Sequence, residues 1–187
     1  MRKDLTILVM GLIMTLSLSA CVSLVSGPVG NASVPQPRVS VDLDRYAGTW
    51  FELARYENSF ERGCENTTAT YTRRPDGLIG VTNRCLVDGR ERIAEGRARV
   101  IEGSGNARLK VSFFGPFFFG DYWVLDRADD YSWAIVGEPS GRFLWLLSRT
   151  PEPAPATRQT IESRARALGY DLSLLRPVRH DQSQRRD

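Results

Sequence analysis

The side chains least replaceable in chemistry are three cysteines, one histidine and a burst of aromatic residues. Cys64 and Cys85 could be metal ligands, nucleophiles or a disulfide. Neither has a second cysteine or a histidine at metal-ligand spacing, so a metal is not expected. The one histidine, His180, sits near the chain end, which leaves no Ser–His or Cys–His pair for nucleophilic catalysis and no histidine for haem. No two carboxylates stand out as an acid and base. Gly103 and Gly105 lack the third glycine and the strand-to-helix context of a dinucleotide loop. The composition therefore argues against an enzyme and calls for no cofactor. The aromatic burst, VSFFGPFFFGDYWVL from Val111 to Leu125, holds five phenylalanines, Tyr122 and Trp123 around one Gly-Pro turn. Such a surface suits buried core, a site for an apolar ligand, or a patch that touches a membrane.

Arg2 and Lys3, an apolar run from Leu5 to about Leu18, and then Leu18-Ser19-Ala20-Cys21 form an export signal. The apolar run is short for a permanent span. The tetrapeptide resembles a bacterial lipobox, which implies cleavage before Cys21 and its lipidation; an ordinary cleaved signal with an incidental cysteine is the alternative. Val22 rather than aspartate favours the outer membrane, with the domain facing the periplasm. In an exported, oxidising compartment the remaining pair, Cys64 and Cys85, suggests a disulfide. Loss of residues 1–20 removes Arg2, Lys3 and Asp4 and so lowers the formal charge of +3 by one. A nearly neutral chain without a basic stripe is not expected to bind nucleic acid. Asn31-Ala32-Ser33 and Asn66-Thr67-Thr68 match glycan acceptors by chance in such a lipoprotein.

The elements that would carry these residues are short strands. Residues 21–40, rich in Ser, Gly, Pro and Val, read as a flexible tether, 41–179 as one domain and 180–187 as a polar tail. Eight strand-like segments follow from Trp50–Tyr56 to Phe143–Ser148, separated by turn signals such as Arg74-Pro75-Asp76-Gly77 and Glu102-Gly103-Ser104-Gly105-Asn106. This pattern predicts an all-β antiparallel sandwich or up-and-down barrel. Ala156 to Leu168 then predicts one helix, with Ile161, Ala165 and Leu168 on one face and Gly169 at its end. Tyr170 to Val178 adds one more candidate strand.

Gly48-Thr49-Trp50 and the segments Phe60–Gly63, Thr68–Tyr71, Leu109–Phe117 and Leu144–Pro151 resemble, in order and spacing, the lipocalin family. The likeness is to its bacterial outer-membrane branch, close to apolipoprotein D. The second family motif departs: Gly120-Asp121-Tyr122 stands where Thr-Asp-Tyr is usual. The resemblance implies an eight-stranded barrel with one C-terminal helix outside. Its narrow base would be closed by Gly48, Trp50 and Arg149, the arginine lying across the tryptophan.

The resemblance further implies a cup for a fatty acid or lysophospholipid, used in membrane maintenance or under stress. Tyr56, Phe113, Phe114, Tyr122 and Trp123 are the candidates for its wall, with some of them packing under the helix instead. Residues 115–120 become a rim loop, and Phe117, Phe118 and Phe119 at its tip are read as a ligand gate, a membrane-docking edge, a homodimer contact or local packing. Glu52, Arg55 and Arg62 are read as surface charges that could otherwise meet a headgroup. The competing functions are a scaffold lipoprotein with a side-chain-filled barrel and, with little support, a lipid-modifying enzyme on the same barrel.

Overall fold

The computed structural model describes residues 28–181, so Cys21 and its signal lie outside the described residues. A one-turn helix, α1 (Leu43–Tyr46), precedes eight strands: β1 (Gly48–Tyr56), β2 (Glu65–Arg73), β3 (Ile79–Val87), β4 (Arg90–Val100), β5 (Arg108–Ser112), β6 (Gly120–Arg127), β7 (Trp133–Gly137) and β8 (Leu144–Ser148). Helix α2 (Pro155–Ala167) and the short strand β9 (Leu175–Pro177) follow. Each strand pairs antiparallel with its sequence neighbour, and β1 pairs with both β2 and β8, which closes an eight-stranded barrel with no free edge. β1 meets β2 over Gly48–Phe51; beyond that point its edge is taken up by β9 over Ala54–Tyr56. The turns 74–78, 101–107 and 128–132 lie at one end, the loops 57–64, 88–89, 113–119 and 138–143 at the other.

Two apolar layers fill different spaces. One occupies the barrel interior and includes Trp50, Tyr71, Val81, Ala98, Leu109, Val124, Val136 and Leu147. The second lies outside, where α2 covers Leu53, Trp133, Ile135, Leu144 and Leu146 with Ile161 and Ala165. Strand β7 is buried on both faces for this reason, and its sequence, WAIVG, is continuously apolar instead of alternating. Pro155 occupies the first turn of α2, where its missing N–H is no loss. Arg164 Nε donates to Asp126 Oδ2 at 2.6 Å and ties the helix to β6.

The expected flexible tether is shorter than residues 21–40. Gly30 N–H donates to the Gly141 carbonyl at 3.0 Å, the Asp171 N–H donates to the Gly30 carbonyl at 2.9 Å, and Asn31 Nδ2 donates to the Leu168 carbonyl at 2.9 Å. Asn31 is buried, so this segment is a strap laid against the barrel beside the 138–143 loop. At the other terminus Asp181 N–H donates to Asn66 Oδ1, so the polar tail is docked at its first residues.

The base is sealed by the predicted residues and by a helix that composition did not signal. Asp42 caps α1 by accepting from the Asp44 and Arg45 N–H groups. Trp50, fully buried, donates Nε1–H to the Tyr46 carbonyl at 2.8 Å. The Arg149 guanidinium lies 3.8 Å from the Trp50 ring centroid. It also donates to the carbonyls of Thr49, Arg45, Tyr46 and Ala47. One planar cation thus satisfies the C-terminal carbonyls of α1 and lids the tryptophan. Gly48, with φ of +94°, makes the turn between them without strain.

At the opposite end Cys64 and Cys85 form the disulfide, with Cα atoms 5.4 Å apart. It joins the lip loop 57–64 to the end of β3.

Two stability outcomes follow. Trp50→Ala should cost about 3–5 kcal/mol in urea unfolding, with Arg149→Lys costing about 2 kcal/mol through loss of the fork; unchanged midpoints would contradict the seal. A Cys21→Ser chain, unfolded without reductant, should titrate no free thiol, and reduction should cost about 3 kcal/mol; two reactive thiols before reduction would contradict the bridge.

Candidate functional site

The inner wall is defined by the register. Tyr71, Val81 and Ile79 belong to the interior layer, so their cross-strand partners share its face: Val81 pairs with Gly96, Ile79 with Ala98, Asn83 with Ala94 and Ala69. At its middle and upper levels this wall carries the small residues Ala69, Ala94 and Gly96 beside Asn83, while Ala98 is buried lower down. Ala94 faces inward yet is exposed, so the barrel is open to solvent there. Gly96 is required by close approach: a Cβ would lie 2.7 Å from Phe113 Cδ1 and from the Ser112 carbonyl. Phe113 lies across that gap, half-buried against the interior.

The lower half is filled. Tyr46 and Tyr122 hydroxyls are 2.7 Å apart, and Tyr71 Oη donates to Tyr122 Oη at 2.8 Å. Burial pushes all three phenols well above their ordinary range, so they remain protonated and hydrogen-bonded. The void beside them, lined by Val41, Ile79, Leu109 and Val124 among others, is about 20 Å³. That is room for roughly one water. The tyrosine trio is the floor of whatever space the mouth encloses.

The lip is aromatic and acidic. Phe143 and Trp145 stack at 5.7 Å with planes 5° apart, and Phe60 lies 5.7 Å from Phe143. Trp145 Nε1 donates to Glu61 Oε2 at 3.0 Å. Beneath them Arg55 Nη1 donates to Glu52 Oε1 at 2.8 Å, while Nη2 donates to the Glu61 and Cys64 carbonyls at 2.8 and 3.3 Å. Glu52 and Arg55, read from sequence as surface charges, are 3% and 0% exposed. Burial raises the Glu52 carboxyl well above the usual carboxylate range, the Glu61 charge raises it further, and Arg55 opposes. The buried carboxyl therefore keeps a proton more readily than an exposed one, and Arg55 clamps the lip loop to β1. Arg62 alone of the three stays exposed.

The aromatic candidates separate. Phe113 and Tyr122 face inward. Tyr56 does not line the cup: a bulge in β1 between Glu52 and Ala54 shifts the alternation by one, so Arg55 turns inward and Tyr56 outward. Its hydroxyl donates to the Asp171 carbonyl at 2.8 Å and its ring meets Tyr170. Trp123 also packs outside, in the layer under α2, because adjacent residues on one strand face opposite ways. Phe114 is almost fully exposed, as are Phe117 and Phe119 in large part, while Phe118 folds back over Arg97 and Arg99. Phe60, Phe143, Trp145 and Glu61 were missed as site residues; the Phe143-x-Trp145 alternation was the available signal.

The Glu52 environment has a signed consequence. Between the ordinary carboxyl pKa and the raised one, the unfolded chain has released a proton that the folded chain keeps. Stability from this residue thus falls as pH rises, by roughly 1 kcal/mol per pH unit in that window. The stability difference between the native chain and Glu52→Gln, followed by urea unfolding from pH 4 upward, should shrink with pH; a constant or growing difference would contradict the raised carboxyl.

This geometry has close counterparts. Residues 41–180 match the family described as a lipocalin-like domain. The outer membrane lipoprotein Blc of Vibrio cholerae is 41% identical over 159 residues, covering 83% of this chain and 92% of the relative. Blc of Escherichia coli K12 is 42% identical over 134 residues, covering 71% and 75%. Among solved structures, insecticyanin from the tobacco hornworm Manduca sexta superposes with a TM-score of 0.64 at 19% identity, covering 84% of this chain and 87% of that one, which supports the fold alone. On sequence and architecture together, the chain is a member of the lipocalin family.

Proposed function

We propose that this lipocalin is a lipid-binding lipoprotein of the bacterial outer membrane. It holds one acyl chain, from a fatty acid or lysophospholipid, in the upper half of its barrel. The observation that carries this reading is the wall of Ala69, Ala94 and Gly96, open to solvent at Ala94, with Phe113 against Gly96 above a filled base. An acyl chain there would be stabilised by removal of its methylenes from water and needs few polar partners. The Leu18–Cys21 motif and the Blc relatives, named as outer membrane lipoproteins, support tethering through Cys21. A role in membrane maintenance fits a carrier held at that surface.

The filled lower half favours a second reading, a scaffold whose whole barrel is solid. The two differ in one titration. Single-chain lipids of increasing length should quench or enhance the fluorescence of Trp145. The affinity should rise by up to about four-fold per methylene, then level off early because the tyrosine floor stops the chain. Ala94→Trp, at an exposed position, should weaken binding about ten-fold or more without lowering stability. Absence of binding by folded, unoccupied protein at any length, or affinity indifferent to length, would establish the solid scaffold.

A further inference from the structure

We propose that the open end of the barrel docks directly on a phospholipid bilayer, so that the molecule stands mouth-down on the membrane that holds its anchor. Among the described residues the large exposed apolar side chains are Val29, Phe60, Ile93, Phe114, Phe117 and Phe119. All six lie at one end. Phe60 is on the 57–64 loop and the three rim phenylalanines are on 113–119. Ile93 is near the 88–89 hairpin, and Val29 adjoins Gly30, bonded to the 138–143 loop. Phe60, Phe114, Phe117 and Phe119 are 55%, 88%, 61% and 80% exposed. The opposite end presents polar turns instead, with Asp76, Glu102, Asp129 and Asp130.

The rim loop is held in this pose. Arg97 Nη2 donates to the Gly115 carbonyl at 2.9 Å, and Ser112 Oγ donates to the carbonyls of Phe114 and Gly115. Phe118 is folded back onto Arg97 and Arg99, their guanidinium carbons 5.7 and 5.1 Å from its ring centroid. Phe117 and Phe119 stack on each other at 5.5 Å, facing out. A fixed loop thus turns three phenylalanines to solvent, a large apolar patch for a monomer's surface. The two arginines beside them suit the phosphates of a bilayer.

The position of the anchor decides among occupants. Gly30 is pinned at the mouth, and Cys21 lies nine residues before it. Nine residues span about 30 Å at full extension. Strand β1 is about 30 Å long, and the tilt of barrel strands brings the wall to about 23 Å tall. An acyl group on Cys21 could bring the base to the membrane only with the intervening chain about three-quarters extended along the wall, whereas the mouth is within reach at any extension. This step rests on the tethering reading above; the apolar end does not.

The test uses the full acylated chain in vesicles of phosphatidylethanolamine and phosphatidylglycerol. A photoreactive p-benzoylphenylalanine replaces Phe119, or Glu102 in the exposed turn at the opposite end. Irradiation should give phospholipid adducts from position 119 in excess of those from 102 by roughly five-fold or more. Equal labelling, greater labelling from 102, or none from 119 would overturn the proposal. Adducts from 119 to a second copy of the chain would overturn it in favour of a dimer. A Cys21→Ser chain separates the two readings. If it stays with membranes and still labels from 119, docking stands and the anchor assignment fails; if it is released while the acylated chain labels from 119, both stand.

Discussion

One strand bears the closure of the barrel, and a single extra residue within it decides what the barrel can hold. β1 pairs with β2 over its first four residues, with β8 through its middle and with β9 at its end. The bulge between Glu52 and Ala54 lets it turn from one edge partner to the other. Before the bulge, Trp50 points inward to serve the base and Glu52 inward to meet Arg55; after it, Arg55 points inward and Tyr56 outward. Without that shift Arg55 could not reach the carbonyls of Glu61 and Cys64, and Tyr56 could not brace the Asp171 segment. The clamped lip and the bracing of the outer layer by Tyr56 depend on it.

The interior that results is graded. Trp50 under Arg149 closes the base, Tyr46 and Tyr71 bonded to Tyr122 close the middle, and small residues on β2 and β4 open the top. The floor phenols and the Arg55 terminal nitrogens inside have bonded partners, while Arg55 Nε is left without one. Arg55 gives the buried Glu52 carboxyl a cationic neighbour, and Trp145 and Glu61 satisfy one another at the edge. An interior of this kind gives a hydrocarbon chain a defined depth to fill. On the proposed reading, the mouth that would receive it is also the apolar end of the molecule, so a lipid would pass between bilayer and cup with little crossing of water.

Much of this was legible in the sequence where short-range patterns carry it. The turns at Arg74–Gly77 and Glu102–Asn106 mark strand ends by their own chemistry. The segment Tyr131–Val136 reads as a strand from its composition, and the base at Gly48, Trp50 and Arg149 follows from the family resemblance. Facing was harder. Tyr56 was misplaced because a bulge leaves no signature in composition, and one residue of phase reverses every side chain after it. Tyr122 and Trp123 could be assigned opposite faces but not which was which, since both sides of that strand are covered by apolar layers. Glu52 and Arg55 resembled surface charges because their burial depends on the Glu61 loop folding back, a contact between distant turns. The docked strap at Gly30 and Asn31 lies in a segment whose Gly, Ser and Pro content resembles a free linker.

The central claim is a barrel open above the tyrosine trio and solid below it. The most direct measurement is paramagnetic broadening of the tryptophan indole N–H signals by a stearate carrying a nitroxide near its carboxyl end. An acyl chain that enters the mouth with its head at the lip should broaden Trp145 at the lip more strongly than Trp50, which lies beneath the tyrosine floor. Broadening of Trp50 to the same degree, or of neither residue with lipid in excess, would contradict it.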